Sequence, residues 1–212
     1  MQPAATVQAG ELRSVWEVFV LAGIAVYAIV AGLITWCVIA YRRRDPAVRQ
    51  AAAFHENKPL EILWTVIPIL IVIGLFAKTY IVEAKVENVV PNPGEIVDVA
   101  AYRWSWRFVY PRHNVAVNGT LGAPPVLVLP AGETTQINLT SDDVIHEFWV
   151  PAFLFKRDAV PGRPNTFDLH PTKIGTYRGV CSEYCGTFHA KMTFSVRVVS
   201  AADYARWLAV QK

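Results

Sequence analysis

Residues 18–41 read VFVLAGIAVYAIVAGLITWCVIAY, twenty-four positions without a charged side chain. At a rise of about 1.5 Å per residue, a helix of that length crosses a hydrocarbon core of about 30 Å. Residues 63–81 read LWTVIPILIVIGLFAKTYI, interrupted only by Lys78, whose alkyl stem lets its ammonium reach the headgroups. The two stretches predict a transmembrane hairpin. Arg42, Arg43, Arg44, Arg49 and Lys58 lie between them, and positive charge stays on the inner side, so both termini are expected outside. A cleaved signal sequence is a poor reading of the first stretch, which is too long and is followed, not preceded, by its arginines.

The hairpin accounts for the composition. The 212 residues are 53% hydrophobic, with a mean hydropathy of +0.30, and the excess sits within the first 85. From about residue 86 short β-rich runs alternate with turn signals such as Pro91-Asn92-Pro93-Gly94, Asn118-Gly119, Pro130-Ala131-Gly132 and Pro161-Gly162. Strands are expected at 96–102, 105–110, 126–129, 135–139, 147–150, 175–180 and 193–198, forming an antiparallel barrel or sandwich. Ser200, with Asp203 three positions on, predicts a closing helix over 201–210. The division is therefore a membrane anchor over 1–85, a β domain over 86–200 and a C-terminal helix over 201–212. From residue 83 onward thirteen basic side chains face twelve acidic ones, which gives no ground for nucleic-acid binding.

Chemistry concentrates in Cys181-Ser182-Glu183-Tyr184-Cys185-Gly186-Thr187-Phe188-His189-Ala190-Lys191-Met192. Thiolate and thioether select soft copper and imidazole suits it in either oxidation state. One cysteine completes a mononuclear blue-copper site; two can bridge a metal pair, so the loop points to a dinuclear centre. The competing readings are a Cys181–Cys185 disulfide, favoured in an oxidising compartment, and zinc, which rarely recruits methionine. Cys37, inside the first apolar stretch, reads as a small packing residue. A second imidazole is needed. His146, in Asp142-Asp143-Val144-Ile145-His146-Glu147-Phe148-Trp149-Val150-Pro151, is the best candidate, whereas His113 and His170 stand beside prolines and read as loop histidines.

At this point the chain resembles subunit II of the haem-copper cytochrome c oxidases, which carries the dinuclear copper centre CuA. The resemblance runs through the cysteine loop, Asp143-Val144-Ile145-His146, Asp158-Ala159-Val160-Pro161-Gly162-Arg163 and Glu61-Ile62-Leu63-Trp64-Thr65-Val66-Ile67-Pro68. It implies a two-helix transmembrane hairpin followed by an all-β, cupredoxin-like Greek-key barrel. It also implies that Cys181 and Cys185 bridge both coppers, that His146 and Met192 complete one, and that His189 with the Glu183 carbonyl completes the other.

Further roles follow from the same resemblance. Electrons from cytochrome c would arrive at Trp104 and pass to haem in subunit I, where oxygen is reduced to water with proton translocation. The Glu183 carboxylate would bind magnesium at the subunit I boundary, an oxygen ligand suiting that hard cation. Glu61 would stand at a proton-path entrance, and Asp158 and Arg163 at the subunit I interface near the haem propionates.

One departure concerns the donor. In Tyr102-Arg103-Trp104-Ser105-Trp106-Arg107-Phe108, an alternation that would align Trp104, Trp106 and Phe108 on one strand face, Arg103 and Arg107 flank the tryptophan. Asp142, Asp143 and Glu147 are the best remaining elements of an acidic docking patch, and a less basic or attached cytochrome domain is an alternative donor. A copperless quinol oxidase subunit would not need the intact ligand set, and nitrous oxide reductase lacks the paired spans. No Cys-x-x-Cys-His follows the copper loop. The expected location is a bacterial plasma membrane, with lipid and subunit I as partners and the copper domain on the periplasmic side.

Overall fold

Thr6 starts the first helix: its hydroxyl accepts the Ala9 N–H at 3.0 Å, capping α1, Val7–Ala40. At 34 residues α1 begins eleven positions before the apolar stretch, because Glu11, Arg13 and Glu17 do not break a helix. The chain is described here by a computed structural model covering residues 4–42 and 56–211, so Arg43, Arg44 and Arg49 lie outside the described residues. Asn57 caps α2, Lys58–Glu87, by accepting the Leu60 N–H, while its own N–H is bound by the Glu61 carboxylate. Pro68 sits inside α2, leaving the Trp64 carbonyl without its usual donor. Both helices are long and apolar enough to cross a membrane. They expose large apolar side chains such as Ile24, Leu33, Leu70 and Phe76, a surface that suits hydrocarbon and not water.

Contacts divide the described residues into one unit of 14–42 with 56–82, and a second of 4–13 with 83–211. The second unit is a sandwich of two five-stranded sheets. Its strands are β1 (Glu95–Tyr102), β2 (Ser105–Tyr110), β3 (Val115–Asn118), β4 (Val126–Pro130), β5 (Thr135–Ser141), β6 (His146–Val150), β7 (Phe155–Ala159), β8 (Asn165–Leu169), β9 (Gly175–Cys181) and β10 (Thr193–Val199). One sheet runs β3-β2-β1-β5-β8 and the other β4-β10-β9-β6-β7. The wholly antiparallel expectation is corrected, because β1 pairs with β5, and β4 with β10, in parallel. Strands β3, β7 and β8 have no counterpart in the sequence reading. All three are short sheet edges, and Phe155-Lys156-Arg157-Asp158-Ala159 offers no apolar alternation.

Inward positions of both sheets fill the core. Trp106, Phe108, Phe148, Phe167 and Phe194 are fully buried, with the Phe148 and Phe194 rings stacked 4.8 Å apart. Phe194 lies directly on Gly179, where a Cβ would stand 2.2 Å from the ring. Only glycine permits that approach. The ring cluster forms the floor beneath His146, which lies 6.4 Å from Trp106.

Helix α3, Ala201–Val210, begins where its cap predicts, with Ser200 accepting the Asp203 N–H. It is fastened to the sandwich by a buried carboxylate: Glu95 accepts hydrogen bonds from Tyr204 Oη and from His113 Nε2, both at 2.8 Å. Burial and then the Glu95 hydrogen bond raise the Tyr204 pKa. Tyr204→Phe should cost about 1–2 kcal/mol by leaving that buried acceptor short of a donor. Thermal unfolding followed by tryptophan fluorescence measures the effect. His170 is occupied elsewhere, 2.9 Å from Thr134 Oγ1, and its backbone carbonyl accepts the Val7 N–H.

Candidate metal centre

The end of β9, the start of β6 and the loop before β10 converge on one buried pocket. Cys181 closes β9, and its N–H donates to the Met192 carbonyl at 3.0 Å, pinning both ends of the cysteine loop. Inside it, His189 N–H reaches the Gly186 carbonyl and Met192 N–H the His189 carbonyl, each at 3.0 Å. Gly186 has φ +117°, a conformation that L side chains rarely adopt.

These constraints gather the soft donors. Cys181 Sγ is 3.9 Å from Cys185 Sγ, and neither cysteine is in a disulfide. His146 Nδ1 lies 3.8 Å from Cys181 Sγ. His189 Nδ1 and Met192 Sδ lie 3.6 and 3.7 Å from Cys185 Sγ. The Glu183 carbonyl oxygen is 3.2 Å from Cys181 Sγ. Among the described residues, the ligand atoms of His146, Cys181 and Cys185 all fall within 4.8 Å of one another. His146 and Met192 are wholly buried.

Protonation and orientation suit a metal. His146 Nε2 is 2.8 Å from Asp143 Oδ1; with the proton on Nε2, the imidazole presents the Nδ1 lone pair to the sulfurs. Asp143 is itself held. Burial would raise its pKa, but hydrogen bonds from His146, from the Arg103 and Val144 N–H groups and from the Arg103 side chain outweigh that and lower it to about 2. Burial, and next Cys181, push the Cys185 thiol up to about 12. A soft cation would displace that proton and supply the missing positive charge. The donor set therefore fits a thiophilic metal held by several ligands.

Trp104 is placed differently from its strand-face expectation. It lies in the two-residue turn between β1 and β2, half-buried, and its Nε1 donates to the Cys185 carbonyl at 3.2 Å. Its ring meets Phe188 edge-on at 5.0 Å. Trp106 and Phe108 do face the core. Glu61 belongs to the helical unit, where it closes the α2 cap. Asp158, on β7, faces Glu147 across the β6–β7 pair; burial and then Glu147 raise its pKa. Arg163 lies in the turn bridged to Val160. Both residues are exposed, as is the Glu183 side chain.

Two roles of the aspartate turn are not visible in residue spacing: Asp143 orients His146, and Arg103 anchors Asp143. The candidate docking acids all have partners within the domain. Asp142 pairs with Arg107 at 3.2 Å, Asp143 with Arg103 at 3.1 Å and Glu147 with Lys156 at 3.1 Å. Glu147 is also buried and hydrogen-bonded to Ser182.

A β-sandwich holding two thiols and an imidazole together, preceded by two membrane-length helices, defines a class of protein with a candidate membrane anchor and a donor cluster that could hold a soft metal. Known proteins sharpen that class. The family model described as cytochrome c oxidase subunit II, transmembrane domain, matches residues 1–79, and that of its periplasmic domain matches residues 114–199. Cytochrome c oxidase subunit 2 of Mycobacterium tuberculosis is 33% identical over 92% of this chain and 70% of its own length. The probable cytochrome c oxidase subunit 2 of Streptomyces coelicolor is 34% identical over 98% and 77%. Among solved structures, the periplasmic domain of subunit II of cytochrome oxidase from Bradyrhizobium japonicum superposes with a TM-score of 0.53 at 30% identity, covering 58% of this chain and 96% of that one. The chain belongs to the cytochrome c oxidase subunit II family. It is a membrane-anchored subunit of an oxidoreductase complex.

Proposed function

We propose that this chain is the electron-receiving subunit of its oxidase, taking electrons from cytochrome c and passing them to haem in subunit I, where oxygen is reduced to water with proton translocation. The observation that carries the reading is the paired sulfurs at 3.9 Å, each flanked by a histidine nitrogen. Cys181 and Cys185 would bridge two coppers; His146 and Met192 would complete one, and His189 with the Glu183 carbonyl the other. When bound, a copper pair sharing two thiolates supplies a one-electron carrier whose charge spreads over both metals, so its bonds change little on oxidation. The chain's own contribution is rigidity and dryness. The loop hydrogen bonds fix the sulfurs, Asp143 fixes His146, and the aromatic floor excludes water.

Electrons would arrive at Trp104, whose indole N–H contacts the Cys185 carbonyl and so links the surface to a ligand by one hydrogen bond. The Glu183 carboxylate would hold magnesium at the subunit I boundary, with Asp158 and Arg163 at the same interface near the haem propionates. Glu61, at the α2 start, would line the entrance of a proton path. The β domain would lie on the periplasmic side of a bacterial plasma membrane.

Copper analysis and paramagnetic resonance of the purified oxidase test the centre. Two coppers in this subunit sharing one unpaired electron are expected; a copper-free Cys181–Cys185 disulfide would overturn the reading. Trp104→Leu should slow reduction by cytochrome c roughly 30-fold, the effect of losing an aromatic anchor of about 2 kcal/mol. Its copper spectrum should be unchanged.

A further inference from the structure

We infer that Glu147 is a positioning residue of the metal centre: from β6, beside His146, its carboxylate grips Ser182 and so fixes where the Glu183 carbonyl points. The inference rests on the reading of His146, Cys181 and the Glu183 carbonyl as copper ligands. Glu147 is 6% exposed, and a carboxylate is rarely so buried unless it is paired. Both of its oxygens are occupied. Ser182 Oγ donates to Oε2, and Lys156 Nζ lies 3.1 Å from Oε1 and 3.2 Å from Oε2. Asp158 stands opposite across the β6–β7 pair, and Glu183 acts electrostatically on Asp158. A buried carboxylate with further acids nearby is costly to ionise, and strand pairing alone does not call for one at this position.

The loop needs a hold at this point. Strand β9 ends at Cys181, which pairs with Phe148 of β6, and Ser182 is the first residue beyond it. Its N–H donates to the Glu147 carbonyl at 3.3 Å, longer than is usual for such a bond. The hydroxyl–carboxylate bond is charge-assisted and about twice as strong as a neutral one, so the side chains supply the firmer grip. The next peptide carries the Glu183 carbonyl, whose oxygen is 3.2 Å from Cys181 Sγ. Rotation about Ser182 would carry that oxygen away. Glu147 follows His146 in the chain, and Ser182 lies between Cys181 and Glu183. A single side-chain bond therefore ties the two ligand-bearing segments together.

The test uses the purified oxidase carrying Ser182→Ala, Glu147→Ala, the two combined, or Glu147→Gln. Each alanine variant should alter the hyperfine pattern of the shared-spin resonance, shift the reduction potential, and lower copper affinity against a Cu(I) chelator about tenfold. The combined variant should lose no more than Glu147→Ala alone, because both changes break the same bond. Glu147→Gln should restore the wild-type resonance, since an amide pairs with a hydroxyl in either orientation. Ser182→Ala removes one oxygen from a half-buried site, so it and Glu147→Gln decide the matter if Glu147→Ala fails to fold. An unchanged resonance and copper affinity in Ser182→Ala overturns the inference. So does an effect of about 100-fold in the combined variant, the product of two independent losses, or a Glu147→Gln variant that behaves as Glu147→Ala, which would make charge and not the hydrogen bond the cause. A wild type without the copper pair overturns the ligand reading and this inference with it; a wild type that has the pair, beside an indifferent Ser182→Ala, overturns the inference alone.

Discussion

Cys185→Ser is expected to abolish the dinuclear centre. Subunit copper should fall from two to at most one, the shared-spin resonance should disappear, and oxidase turnover with cytochrome c should drop by more than about 100-fold, beyond the loss typical of an outer-shell change. Serine is nearly isosteric, so the buried pocket keeps its shape, and the three backbone hydrogen bonds that pin the loop are untouched. What is lost is donor chemistry. A hydroxyl is a hard ligand that does not release its proton readily, and it cannot replace the thiolate that would lie between Cys181, His189 and Met192. Metal-free unfolding should change little, which separates loss of the ligand from loss of fold. A variant that retained two coppers and wild-type turnover would exclude Cys185 as a bridge.

Asp143→Ala should be the most damaging change outside the ligand set. Its carboxylate accepts a hydrogen bond from His146 Nε2–H at 2.8 Å and binds the Arg103 N–H and Nε. Removal leaves a buried ring N–H unpaired, at a cost of about 1–3 kcal/mol, and frees the imidazole to rotate or change tautomer. Copper affinity, measured by competition with a chelator, should fall about 10- to 100-fold, and the potential of the remaining centre should shift. Asp143→Asn keeps an acceptor but not the charge, so its effect should be intermediate. Equal copper affinity in Asp143→Ala and wild type would show that His146 needs no outer support.

The two predictions rest on information of different accessibility. Cys181, Cys185, His189 and Met192 lie within one loop, and their donor types alone suggest soft-metal chemistry, because ligand softness belongs to the side chain. The hairpin is equally local: an uncharged run of membrane length carries its meaning wherever it occurs. The strands with clear apolar alternation, such as Ser105–Tyr110, are legible for the same reason. Phe155–Ala159 is not, since an edge strand needs only its two end residues buried.

By itself, the amino-acid sequence determined the anchor, the β-rich domain and the donor set, because length, hydropathy and ligand chemistry act over a few residues. Tertiary structure alone decided the parallel pairing of β1 with β5 and of β4 with β10, which depends on strands brought together across long connections. It also decided the pairing of each nearby charge. Asp143 reads in sequence as an available surface acid; in the fold it is bound to His146 and Arg103. Whether a carboxylate attracts a partner or orients a ligand depends on what lies within hydrogen-bond distance, and residues forty positions apart meet only when the chain folds.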